Sequence, residues 1–383
     1  MEKVKLGIIG VGNIGSQHVE LALHQAPEVT LCAVADRSEN RRAFFHERLS
    51  ENVQIFAEGS DLIVSGTCDA VIIAVPHYQH PELAIDAFTK GLHVLCEKPA
   101  GVYTKQVREM NEAAQKSGLT FAMMFNQRTN CLYRAMRRLV ASGELGAVRR
   151  VNWIVTDWFR SQYYYDSGAW RATWAGEGGG VLLNQCPHNL DLLQWICGMP
   201  SRVRAHCHVG KWHDIEVEDD VTAYLEYPNG ATGVFITTTG DAPGTNRFEV
   251  TLDLGKLVCE NDKLLLYKNK TSLSEFLIDS KDAFAKPSCE ESEVETDGQN
   301  PQHLGVINAF AANILRGEPL VARGEEGIFG LTLSNAMHLS SWLEKSVDLP
   351  IDEDLFLDEL NKRRAISRLK AGESVYADTR GSY

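Results

Sequence analysis

The sequence contains no apolar run near the roughly 18 residues needed to cross a bilayer, so no membrane span is expected. It has no C-x-x-C pair, no internal repeat and no low-complexity segment. Basic residues are in the minority, 38 Lys plus Arg against 51 Asp plus Glu, for a formal net charge of −13. Phosphate backbones and anionic membranes are bound by clustered Lys and Arg, so neither is an expected partner. The start, Met1-Glu2-Lys3-Val4, runs directly into a strand-like stretch without a signal-peptide pattern. Nine cysteines, an odd number, then read as reduced, buried thiols of a cytoplasmic protein. Core material is plentiful: 44% of the 383 residues are hydrophobic and 23% charged, which excludes disorder for the bulk of the chain. The length is about two and a half typical domains and points to two.

Strand and helix signals alternate through the first 125 or so residues. Val4–Ile9, Leu31–Ala35, Ala70–Val75, His93–Cys96 and Thr120–Phe125 are short, aliphatic and bounded by polar or Gly/Pro residues, as buried strands are. Ile14–His24, Glu39–Leu49, Pro81–Lys90 and Lys105–Lys116 have helical spacing. This alternation predicts a parallel sheet covered on both faces. After Phe125 a helix is expected at Tyr133–Ser142, followed by hairpin signals. Val221–Tyr227 and Ala231–Thr239 flank Pro228-Asn229-Gly230, and Leu252–Glu260 and Lys263–Tyr267 flank Asn261-Asp262. Late helices are expected around His303–Leu315, Gly327–Glu344 and Glu353–Leu369, and the acidic stretch Glu290–Asp297 reads as an exposed loop.

The first strand leads into Gly10-Val11-Gly12-Asn13-Ile14-Gly15 and then a helix. In a dinucleotide cradle Gly10 permits the tight turn, Gly12 lets backbone approach a pyrophosphate and Gly15 allows close helix–strand packing. The unpaired N–H groups of the helix start, at Asn13 and Ile14, favour the anion. Asp36 ends the next strand 21 residues after Gly15, where an acid accepts the ribose hydroxyls. A carboxylate repels a 2′-phosphate, so NAD is the expected cofactor. Arg37 beside it keeps NADP open. Further on, Glu97-Lys98-Pro99 follows the His93–Cys96 strand, and in open α/β sheets ligands sit beyond the C-terminal ends of strands. A surface Glu–Lys pair is the alternative for these two side chains.

Together the cradle, Asp36, Pro76 with His80, and Glu97-Lys98-Pro99 resemble the Gfo/Idh/MocA family of sugar and polyol oxidoreductases. The resemblance continues through Gly178-Gly179-Gly180-Val181-Leu182-Leu183-Asn184-Gln185-Cys186-Pro187-His188-Asn189-Leu190-Asp191 to Gly317-Glu318-Pro319 and Leu349-Pro350-Ile351-Asp352. It implies an α/β chain with an N-terminal Rossmann dinucleotide-binding domain (1–125) and a C-terminal α/β domain (126–383) on a large, mostly antiparallel open sheet. It also implies a homodimer or homotetramer, a cofactor contact at Pro76, His80, Glu97 and Lys98, and a catalytic histidine at His188. The family often has aspartate four residues before that histidine; here the residue is Asn184.

A helix starting near Asn184 and stopping at Gly198 puts Asn184, His188, Asp191 and Trp195 on one face, with Asn184 able to serve as its N-cap. The expected chemistry is oxidation of a secondary alcohol. His188 is the natural base for the hydroxyl proton, Lys98 stabilises developing alkoxide charge, and Asn184 orients without supplying charge. His188 is therefore expected to be less basic than beside an aspartate. Trp153, Trp158, Trp170, Trp174 and Tyr163–Tyr165, interleaved with Arg160 and Arg171, suit either a carbohydrate platform or a core. Substrate contacts are expected from Asn126, Arg128, Trp158, Arg171, Gln185 and His188, with His77 and Tyr78 nearby. His206, His208 and His213 lack a completing ligand spacing, so no metal is expected. The substrate expected is a sugar, glycoside or cyclitol. A glycoside hydrolase or lyase that oxidises its sugar transiently with tightly bound NAD is the alternative.

Overall fold

Short aliphatic strands bury both faces of the first sheet. They are β1 (Val4–Ile9), β2 (Val29–Ala35), β3 (Gln54–Phe56), β4 (Ala70–Ile73), β5 (His93–Cys96) and β6 (Phe121–Met123). They run parallel in the order β3-β2-β1-β4-β5-β6, with the reversal between β1 and β4 opening a crevice at their C-terminal ends. Helices α1 (Asn13–His24), α2 (Glu39–His46), α3 (Gly59–Val64), α4 (His80–Thr89) and α5 (Thr104–Ser117) make the crossovers. This is the Rossmann-like half of the chain. The structure is a computed structural model describing residues 2–368, so Leu369, the expected end of the last helix, lies outside the described residues.

The remaining elements build around one large sheet. After α6 (Cys131–Ala141) come β7 (Val148–Val155), α7 (Gln162–Asp166), α8 (Pro187–Cys197), β8 (Arg202–Val209), β9 (Glu218–Glu226), β10 (Thr232–Thr238), β11 (Asn246–Leu252), β12 (Gly255–Glu260) and β13 (Lys263–Asn269). Then follow α9 (Leu273–Asp279), β14 (Cys289–Glu293), α10 (Gln302–Arg316), α11 (Gly327–Trp342), β15 (Val347–Asp348) and α12 (Glu353–Ile366). The nine-stranded order is β14-β13-β12-β11-β7-β10-β9-β8-β15, antiparallel except for β7 with β10. Asn261 and Asp262 both adopt positive φ between β12 and β13, as a two-residue hairpin turn demands. Trp153 stacks on Phe248 at 4.1 Å between ring centroids and is core, not substrate platform.

Three local expectations change. Strand β3 and helix α3 were not legible: one is three residues long and only half-buried, the other spans six. The acidic stretch is not simply a loop, because Cys289–Glu293 pairs with β13 as an exposed edge strand whose carboxylates meet Lys263 and Lys270. The helix at His188 starts at Pro187, with Cys186 as its N-cap residue, so Asn184 does not cap it.

Helix α10 returns from late in the chain to cover one face of the Rossmann sheet. Val306, Ile307, Phe310 and Ala311 join Leu6, Ile8, Val19 and Val34 in one buried cluster, while the opposite face continues into the core of the large sheet. Among the described residues no helix is long and apolar enough to cross a membrane. Phe310 is 1% exposed, so Phe310→Ala should cost about 3–5 kcal/mol in urea unfolding. A loss under about 1 kcal/mol would show that α10 does not close this core.

Candidate active site

Glycine at three positions shapes the crevice floor. Gly10 turns at φ +87°, where a Cβ would lie 2.4 Å from the Ala74 carbonyl, and a Cβ on Gly15 would lie 1.9 Å from the Gly10 carbonyl oxygen. Gly12 differs: a Cβ there would meet nothing within 4 Å, so its missing side chain leaves open space at the start of α1. No side chain caps that helix start, and Asn13 and Ile14 form its partly exposed first turn. Beside it, the Asp36 carboxylate accepts from the Val11 and Ser38 backbone N–H groups, both at 2.8 Å. Arg37 is turned outward onto Glu58 at 2.7 Å. Open space, helix N–H groups and a fixed carboxylate fit a dinucleotide.

Glu97 and His80 lie behind this floor. One Glu97 oxygen pairs with His18 Nε2 at 2.7 Å, and the other accepts the Lys98 backbone N–H at 3.1 Å. Burial alone would raise the Glu97 carboxyl, but the hydrogen bond and charge of His18 outweigh it and hold it at about 2. His80 spans the Pro99 and Val75 carbonyls, each at 2.7 Å. Both residues were expected to touch cofactor. Their polar atoms are instead committed to protein, so they brace the loops that do the shaping. Pro76 stands partly exposed immediately before the short 3-10 turn at 77–79.

Lys98 and His188 face the same space from the two halves of the chain. Lys98 Nζ donates to the Asn184 carbonyl at 3.1 Å, one turn ahead of α8. His188 is buried in the first turn of α8, edge-on to Phe125, and neither ring nitrogen has a protein partner. Burial, then the Lys98 ammonium, push the imidazole well below its ordinary 6.5. Burial likewise lowers the Lys98 amine, against the pull of Glu97. The low basicity of His188 thus has burial as its first cause; the lack of an aspartate at 184 is not needed to explain it. Asn184 was expected among the catalytic groups, yet its side-chain amide turns away to donate to the Glu177 carboxylate.

Around this pair stand several expected substrate residues. Gln185 donates to the Tyr164 hydroxyl at 3.3 Å, and its buried carbonyl oxygen has no partner, like that of Asn126. Arg171 lies over the Tyr164 and Trp170 rings, and Trp158 donates to Asn189. Tyr78 and His77 bind the Trp174 and Glu177 carbonyls. Arg128 is the exception. Its guanidinium, 2% exposed, is held by Asp191 on α8 and by Glu326, which commits it to joining elements and not to a sugar. His213 is bound to Asp219 and the Arg160 carbonyl. Sequence reasoning missed Glu177 and also Arg41, which reaches from α2 to the Val11 carbonyl and Ser16 hydroxyl. An acid directly before Gly178-Gly179-Gly180 was the available signal for Glu177.

Residues 4–125 match the oxidoreductase family with an NAD-binding Rossmann fold, and residues 133–258 match the GFO/IDH/MocA C-terminal domain. The chain belongs to the GFO/IDH/MocA family. It is 24% identical over 354 residues to myo-inositol 2-dehydrogenase of Thermotoga maritima, covering 90% of this chain and 98% of that protein. It is 31% identical over 238 residues to the Bos taurus trans-1,2-dihydrobenzene-1,2-diol dehydrogenase, covering 61% and 67%. The WlbA dehydrogenase of Bordetella pertussis, solved with NADH and UDP-GlcNAcA, shares the fold with a TM-score of 0.77 at 24% identity, covering 92% and 99%. This GFO/IDH/MocA member is therefore an NAD(P)-dependent oxidoreductase. The cradle geometry separates two glycines experimentally. Gly12→Ala should leave Tm unchanged while weakening NADH binding about tenfold or more by fluorescence titration. Gly15→Ala should lower Tm as well, because its methyl collides with Gly10.

Proposed function

We propose that this chain oxidises a secondary alcohol of a sugar, glycoside or cyclitol to the ketone, passing a hydride to NAD+ and a proton to His188. The observation that carries this reading is the buried, partnerless imidazole of His188 beside Lys98 at the cofactor crevice. Buried polar atoms without partners are rare in folded proteins. Such atoms at His188, Gln185 and Asn126, among others elsewhere in the described residues, offer ring nitrogens and carbonyl oxygens suited to a hydroxylated ligand.

When bound, the nicotinamide supplies the hydride-accepting carbon. Lys98 spends one of its three N–H donors on Asn184, leaving two for the alcohol oxygen, where they oppose the rise of negative charge as the proton leaves. His188, kept neutral by burial, accepts that proton at a ring nitrogen. Arg171, Tyr164, Gln185 and Trp158 line the approach and offer rings and donors to the C–H faces and hydroxyls of a sugar. Asp36, fixed by two backbone N–H groups, and Arg37, drawn off by Glu58, favour NAD over NADP.

The reading extends to a cytoplasmic homo-oligomer with neither nucleic acid nor membrane as partner. His206, Thr222, Ile236 and Ile154 form one cross-strand row on the outer face of the large sheet. Ile154 and Tyr224 are exposed there, as a face for a second copy would be.

The deciding experiment screens inositols, aldoses and glycosides for NADH or NADPH formation. Stoichiometric NADH is the expected result; redox-neutral cleavage of a glycoside would replace this reading with the hydrolase or lyase. Lys98→Ala and His188→Ala should each lose oxidation about a hundredfold or more while keeping NADH affinity. Because His188 stays neutral to well below pH 6.5, no acidic limb of kcat/KM near neutrality should belong to it. Asp36→Ser should narrow the preference for NAD over NADP about tenfold.

A further inference from the structure

The active-site wall contains one buried acid that the chemistry above does not use. Glu177 is 1% exposed and lies in the loop between Trp170 and the triple glycine. One carboxylate oxygen accepts the Asn184 side-chain amide, and the other accepts the Ala172 backbone N–H at 2.6 Å. Ala172 sits at φ +55°, a left-handed conformation that is costly for a residue with a side chain and concentrates at functional sites. Arg171 Nη1 is 4.0 Å from the same carboxylate, and the backbone carbonyl of Glu177 meets His77 Nδ1 at 3.2 Å. Asn184 links the acid to the reaction, since its own carbonyl receives Lys98 Nζ.

We infer that Glu177 is a positioning residue for alcohol oxidation: its carboxylate holds Asn184, and through Asn184 the Lys98 ammonium, and it supplies the negative charge that Asn184 lacks. The inference rests on the dehydrogenase reading of the same site. Asn184 bridges the two, its side-chain amide on the Glu177 carboxylate and its carbonyl on Lys98 Nζ.

The groups facing Glu177 fix how the site responds to pH. They are Arg171 on its own loop, Tyr165 from α7, Lys98 and His77 from the Rossmann half, and Glu218 from β9. Burial raises the Glu177 carboxyl to about 7, with Arg171, Ala172 and Asn184 holding it from going higher. Burial pushes His77 well below its ordinary range and raises Tyr165, while His338 keeps Glu218 low against its burial. Protonation of Glu177 removes the negative charge that acts on Lys98 and weakens the carboxyl as an acceptor for Asn184, so oxidation should weaken as pH falls through neutrality. His188 titrates too low to produce that limb.

The test compares the parent chain with Glu177→Gln, Asn184→Ala and the double variant Glu177→Gln/Asn184→Asp. Infrared difference spectra across neutral pH, recorded without substrate, should show a protonated-carboxyl band in the parent that Glu177→Gln lacks. With a sugar the parent oxidises, Glu177→Gln and Asn184→Ala should each lose about tenfold or more in kcat while NADH affinity stays within about twofold. Glu177→Gln should also lose the acidic limb near neutrality, and the double variant should recover most of the lost rate by placing a carboxylate at position 184. Parental kcat and pH profile in Glu177→Gln, or no recovery in the double variant, would overturn the inference. Should Glu177→Gln fail to fold, parental kinetics in Asn184→Ala overturn it, because that change cuts the link and leaves the acid in place. A parent without the carboxyl band sinks the inference alone, whereas no turnover with the whole sugar panel sinks the dehydrogenase reading.

Discussion

The His18–Glu97 pair ties the two motifs of the Rossmann half together. His18 lies on α1, directly after the glycine turn, and Glu97 ends β5 immediately before Lys98. Their 2.7 Å contact is buried at both ends. A charge in such a place is costly unless its partner is fixed, and removing one partner leaves the other stranded. The pair therefore fixes the spacing between the cradle that would seat the pyrophosphate and the lysine proposed to act at the alcohol. Glu97 also receives the Lys98 backbone N–H, so the lysine backbone is held from the same anchor. His303, on α10, packs 5.5 Å from the His18 ring, and its burial pushes it down to about 4, so it stands neutral beside this anchor.

A second buried charge cluster sets the other half against the first. Arg128, just past β6, holds Asp191 in the middle of α8 and Glu326 at the start of α11, and its guanidinium lies over Trp195 at 5.1 Å. His188 is three residues before Asp191 on the same helix. The imidazole thus inherits its position from an arginine attached to the cofactor sheet, which explains how side chains 90 residues apart in sequence come to share one small volume.

Much of this was legible from residue patterns, and the failures have physical causes. The β5 strand has the bounds its apolar run indicated, and the glycine turn and Asp36 stand where a strand–turn–helix reading puts them. Short, half-buried elements such as β3 carry too few residues to show a period. Motif membership marked Arg128, His80 and Glu97 as ligand contacts, but a sequence does not reveal that their polar atoms are already satisfied by buried neighbours. Pro187 hid the start of α8: proline fits at its first position, so Asn184 fell outside the helix and was released to reach Glu177. Glu177 was missed because its significance depends on Ala172 and Asn184, which only folding brings to it.

Helix α10 has a consequence for how the molecule is made. A ribosome synthesising from the N-terminus completes all six strands of the Rossmann sheet, ending at Met123, 179 residues before Gln302 is added. Until then the face formed by Leu6, Ile8, Val19 and Val34 has no Phe310 or Ile307 against it. The nucleotide half thus completes its core only with a segment from the far end of the chain, even though its sheet is continuous in sequence. Chains cut short ahead of α10 carry a bare aliphatic surface, the kind that chaperones retain and that aggregates at the concentrations of overexpression.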